Sequence, residues 1–173
     1  MTSPIAVTAH HEAAHAVVKY RATGEFSGSG VNIIERDGRL GSAPDGISDS
    51  ENPDHLVAVV LSCYAGAAAQ QKICPSTGRD GCDTDDETAE KCLEWLGELD
   101  SEAKYRRQAA DLVDNHWDEI TAVAMELIER EELDETEVET IADCTRDGED
   151  WRPLLQRYRL RFQRPTSRGH GPT

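Results

Sequence analysis

The chain has 173 residues, 38% hydrophobic and 5% aromatic, which suffices for one domain with a real core but not comfortably for two. Its formal net charge of -16 argues against nucleic acid and against the phosphates of a membrane surface as partners. The charge is uneven: six arginines and no acid lie from Arg152 onward, and this basic end is expected to pack against its own acidic body.

In chain order, Ser3 is placed to cap a first helix with Pro4 as its first residue, running to about Arg21. Val7, Ala14, Val17 and Val18 give that helix a buried face, and Gly24, Gly28 and Gly30 then break the chain. Val31 to Glu35 and Arg39 to Ala43 flank Asp37-Gly38, the two-residue hairpin signal. No other stretch reads convincingly as strand. After an exposed loop over Pro44 to Glu51, Asn52 caps a helix from Pro53 to about Lys72, whose small residues Ala65, Gly66, Ala67, Ala68 and Ala69 permit close packing. A loop over Cys74 to Gly81 follows. Thr84 and Glu87 have capping-box spacing, which puts Asp85 at the start of a third helix ending near Leu96. Ser101 to Glu131 is helical with a break near Asn115, Asp134 with Glu137 caps another helix, and Trp151 to Phe162 is the last. The expected fold is mainly α, that is α+β with one small β-hairpin, as a single domain over 1–162. A disordered basic tail is expected over 163–173.

Five cysteines with no CxxC pair argue against a disulfide framework and against a zinc ribbon. Cys63 reads as a core residue, whereas Cys74 and Cys82 bracket a loop and have the option of pairing under oxidising conditions. No leader pattern is visible, and the longest apolar run, Leu56 to Ala69, is broken by Ser62 and too short to span a bilayer. A cytoplasmic protein without membrane association is expected.

The stretch that carries chemistry is His11-Glu12-Ala13-Ala14-His15. Residues four apart on a helix share a face, so two imidazoles can reach one ion, with Glu12 beside it. A zinc ion held by three protein groups keeps a fourth position for water and lowers its pKa, while a nearby carboxylate takes the proton as water attacks a carbonyl. His10 has no such partner, because Ala14 stands four residues on. Surface imidazoles are the bland alternative, but the flanking Ala13, Ala14, Ala16, Val17 and Val18 point to a buried helix, where two histidines facing one way need a partner. Glu25, His55, Asp83, Asp85, Asp86 and His116 are all suitable types for a third ligand, and spacing does not choose among them. Asp85 has the merit of a fixed backbone at a helix start, where the macrodipole alone also favours an acid.

These residues resemble the peptidase domain of FtsH-type AAA+ zinc proteases. Thr8 to Val18 is similar to that family's HEAGHA-containing helix, and the hairpin with Leu40-Gly41 to its strand pair. Tyr64 to Ala69 is similar to its small-residue helix, Gly81-Cys82-Asp83-Thr84-Asp85 to its Gly-Ala-x-Asn-Asp pattern, and Ile120 to Val138 to its closing helices. The resemblance covers roughly residues 5 to 142 and implies His11, His15 and Asp85 as zinc ligands with Glu12 as general base. The chain departs from the family in lacking a phosphate-cradling Gly-x-x-x-x-Gly-Lys-Ser/Thr loop and the family's membrane anchor. Ala14 replaces a glycine, Asp86 an apolar residue and Gln70 a glutamate. The resemblance therefore implies an ATP-independent endopeptidase acting on peptides or unfolded proteins, with the hairpin edge receiving an extended substrate by strand addition. Two alternatives are a non-catalytic zinc-binding module that docks to a partner and a hydrolase of non-peptide amides. The family's rings suggest a homo-oligomer, although a monomer fits these residues equally.

Overall fold

The computed structural model describes residues 3–24, 30–36, 39–42, 47, 49–78 and 81–162, and the fold they form is mainly helical with one small antiparallel sheet. Helix α1 spans Pro4–Thr23 and begins as its sequence dictates, with the Ser3 side chain accepting from the Ala6 N–H and Pro4 in the first turn. It ends at Gly24, whose φ of 73° lets its N–H return to the Tyr20 carbonyl. Between Val7 and Lys19 all its residues but Thr8 are buried, so it is a core helix rather than an amphipathic surface one.

Helix α2, Pro53–Ile73, is capped by Asn52, whose side chain accepts from the N–H groups of Asp54 and His55. It packs along α1 through the small residues expected for close approach, with Ala65 and Ala69 fully buried. The expectation that this segment is too short for a bilayer is corrected: at 21 residues α2 is long enough to cross one, and its most apolar 18-residue stretch has a mean hydropathy of 1.3. The apolar run alone understated it, since the flanking turns extend the helix at both ends. Here α1, α3 and α4 cover it, and 61% of the apolar window lies inside the fold.

Strands β1 (Val31–Arg36) and β2 (Arg39–Ser42) pair antiparallel as the hairpin pattern predicts, while the Asp37-Gly38 turn lies outside the described residues. An unexpected third strand, β3 (Glu132–Leu133), pairs with the other side of β1 and gives the order β2-β1-β3. Two residues are too few to show alternation, so no sequence pattern betrays it. Gly30, at φ 89°, admits this pairing, because a Cβ there would fall 2.2 Å from the Leu133 carbonyl oxygen. With β1 in the middle, β2 and the short β3 are the outer strands.

The remaining helices are α3 (Asp83–Leu96), α4 (Glu102–Asn115), α5 (Trp117–Arg130), α6 (Glu135–Asp147) and α7 (Arg152–Phe162). The break expected near Asn115 is present as His116 between α4 and α5. The Asp134 and Glu137 capping box forms in both directions, at 2.9 and 3.0 Å. The box expected from Thr84 and Glu87 does not form. The chain becomes helical at Asp83, with Cys82 as N-cap and no side-chain cap, so Thr84 already lies inside the first turn and its carbonyl accepts from the Thr88 hydroxyl.

Two apolar clusters make up the core. One joins α1, β1, α5, α6, Trp151 and Leu155 with Leu133 of β3, Ala65 and Ala69 of α2 and Val113 of α4, and the other joins the rest of α2 with α3 and α4; Leu61 of α2 touches both. At the C-terminal end of α1, Arg21 pairs with Glu119 of α5 and Asp143 of α6 at 2.6 and 2.8 Å, and the Tyr20 hydroxyl donates to Asp143. The basic end packs on the acidic body as expected: Arg159 of α7 pairs with Glu137 and, at 2.8 Å, with Glu126, both buried. The tail over 163–173 lies outside the described residues.

Candidate metal centre

Helix α1 crosses α2 at Gly66, and the N-terminal turn of α3 closes over the crossing. His11, His15 and Asp85 are brought to this region with 9%, 2% and 9% exposure, and Glu12, next to His11 on α1, is 7% exposed. The Nε2 atoms of His11 and His15 face each other at 2.9 Å, and Asp85 Oδ2 lies 3.2 Å from the first and 3.4 Å from the second. Three donors bound tetrahedrally at ~2.0–2.1 Å from zinc stand about 3.3 Å from one another, so this triangle has the dimensions of a ligand set.

The hydrogen bonds at the rim fix how the donors point. His15 Nδ1 lies 2.8 Å from the Ser62 carbonyl, which only accepts, so that nitrogen carries the proton and Nε2 presents its lone pair to the triangle. The Ser62 hydroxyl in turn donates to the His15 carbonyl at 3.1 Å, so α2 grips α1 on both sides of this histidine. A proton on His11 Nε2 would satisfy the histidine pair but leave Asp85 Oδ2, which is buried and makes no hydrogen bond, unsatisfied. A cation satisfies all three at once. These residues therefore fit a metal ion by distance, by the orientation of His15 and by the unsatisfied Asp85 oxygen.

Gly66 makes the arrangement possible. A Cβ at this position would stand 2.5 Å from His15 Nε2 and 2.8 Å from His11 Nε2, inside any real contact distance. The two rings thus occupy space that α2 leaves by having no side chain there.

Among the other acids and imidazoles considered as third ligand, none replaces Asp85. Asp83 is exposed, Asp86 pairs with Arg106 at 3.0 Å, and His116 pairs with Glu119 at 2.9 Å. His55 sits in the first turn of α2 at the far end of the helix from Gly66, and Glu25 lies outside the described residues. His10 packs elsewhere, stacked on Trp117 with its Nδ1 donating to the Ala6 carbonyl, and burial pushes its imidazole below the ordinary value. The three departures from the family pattern are accommodated. Ala14 is fully buried in the α1 core, Gln70 is buried on α2, and Asp86 holds Arg106, whose guanidinium lies 4.0 Å over the Tyr64 ring.

Sequence reasoning missed three contributors. Ser62 looked like an interruption of an apolar run, and its spacing of four from Gly66 on one helix face was the available signal. Gly66 looked like one small residue among five. Cys82 looked like a loop bracket, yet its thiol, a His11 ring nitrogen and an Asp85 carboxylate oxygen all lie within 4.8 Å of one another. Neither Cys74 nor Cys82 forms a disulfide. No protein-family model matches the chain, and no curated protein shows significant similarity to it.

Proposed function

We propose that the chain is a zinc metallopeptidase of the FtsH type, holding the ion through His11, His15 and Asp85. The observation that carries this reading is the donor triangle at the HExxH helix, whose edges are 2.9, 3.2 and 3.4 Å and in which His15 turns its Nε2 inward. Imidazole and carboxylate donors in this number suit zinc, which supplies Lewis acidity to a substrate carbonyl and acidifies water. Glu12, buried on the same turn of α1, takes a proton from the attacking water and passes it to the leaving amine. His15, oriented by the Ser62 carbonyl, and Asp85, fixed in the first turn of α3, hold their donors in place. The substrate is a peptide or an unfolded polypeptide segment, and hydrolysis at such a centre needs no nucleotide.

The test is Glu12→Gln in the full chain. Zinc content is expected to stay at one per chain while cleavage of an unstructured protein falls by about 10²–10⁴-fold. Equal turnover by both forms overturns the peptidase reading. A second reading, a zinc module without catalysis, is favoured by one observation, the thiol of Cys82 beside His11 and Asp85. A closed four-ligand site is structural in character, whereas three protein groups with an open position are catalytic.

A further inference from the structure

We propose that Cys82 is a fourth protein ligand to the same ion, so that the resting centre is closed by a thiolate; this rests on the metal reading above. The thiol is 1% exposed, and its sulfur, a His11 ring nitrogen and an Asp85 carboxylate oxygen lie within 4.8 Å of one another. Its place in the fold is as telling as its distance. Cys82 is the N-cap of α3 and Asp85 is three residues on, so one turn of one helix delivers both donors to the same side of the α1 and α2 crossing.

Around a tetrahedral zinc, a sulfur at ~2.3 Å and a nitrogen at ~2.0 Å stand about 3.5 Å apart. The group's widest separation is at most 4.8 Å, so the thiol comes within tetrahedral distance of its His11 and Asp85 companions by a movement of about 1 Å, within the range of a side-chain torsion. On binding, the S–H bond breaks, its proton leaves to solvent and sulfur donates its electron pair to the ion. Water then has access only when Cys82 withdraws, which makes the entry to α3 the element that decides between a closed centre and an open one.

The experiment loads the full chain with Co²⁺ to one equivalent, followed by metal analysis and near-ultraviolet absorption. A thiolate-to-cobalt charge-transfer band is expected in the wild type and in Cys74→Ala, and is expected to vanish in Cys82→Ala. That variant should also weaken zinc at least about tenfold, the least that losing even an outer-shell partner costs. Zinc-edge X-ray absorption of the wild type, which needs no variant to fold, should show one sulfur per ion at about 2.3 Å. One-to-one binding without a sulfur signal overturns the role of Cys82 and leaves the three-ligand centre intact. Failure to bind either metal overturns the centre itself.

Discussion

Gly66→Ala separates a metal centre from mere helix packing, because the substitution moves two measurable quantities to very different extents. A methyl group on α2 would lie 2.5 Å from His15 Nε2 and 2.8 Å from both His11 Nε2 and Cε1. Ordinary contact needs about 3.5 Å, so the rings must retreat by ~0.7–1.0 Å. A metal site tolerates deviations of only about 0.2 Å in its ligand distances, and His15 is further tied by its Nδ1 to Ser62. Zinc affinity is therefore expected to fall by about a hundredfold or more, beyond the ~10–100-fold cost of disturbing an outer-shell partner. The fold responds differently. Alanine favours a helix interior by ~1 kcal/mol over glycine, which offsets much of an overpacking cost of ~1–3 kcal/mol. Denaturant unfolding in the presence of a chelator should thus register a change of no more than about 2 kcal/mol. Affinity measured by competition against a chromophoric chelator gives the decisive number: if Gly66→Ala binds zinc within threefold of the wild type, the rings do not share an ion beneath α2.

Neighbouring acids of α3 should behave unlike one another. Asp85→Ala is expected to abolish one-to-one zinc binding and exposed Asp83→Ala to leave it within about twofold, as read by metal analysis after dialysis. Asp143 offers a pH signature away from the centre. Burial alone would raise its carboxyl, but Arg21 and Tyr20 outweigh that and depress it below 3.8. Its contribution is present above that value and is lost as pH falls through the lowered folded pKa. Because its side chain is 39% exposed, Asp143→Asn should cost under about 1 kcal/mol at neutral pH, and the difference between variant and wild type should vanish in strong acid, as measured by denaturant titration across pH.

Much of the fold could be read from residues acting locally. Ser3-Pro4, Asn52-Pro53 and the Asp134 and Glu137 box each satisfy donors within their own turn, so the helix starts followed from sequence alone. What escaped depends on partners distant in the chain. Strand β3 exists because β1 offers it a free edge at Val31 and Asn32, and Cys82 became a cap because α3 starts before Thr84. The centre divides in the same way. The HExxH spacing disclosed two donors because a helix fixes their relation over four residues. The Asp85 contact depends on how α3 docks, and residue spacing left it open among six candidates. Ser62 and Gly66 act on His15 across 47 and 51 positions, a relation that no periodicity encodes.

The position of the centre also bears on how the chain is held together. His11 and His15 belong to the helix at the heart of one apolar cluster, while Asp85 and Cys82 belong to the helix that closes the other. The clusters already meet along the α1 and α2 packing and at Leu61, whereas α1 and α3 touch little, so in the proposed reading the ion is a link between α1 and the entry to α3. Binding to the folded state alone would add about 2.7 kcal/mol at a free zinc concentration a hundred times the dissociation constant. Metal removal should therefore loosen the entry to α3 more than the α1, α5 and α6 packing, and amide exchange should rise first over residues 81–90. Uniform exchange across both clusters would mean that the ion, if bound, carries no such mechanical role.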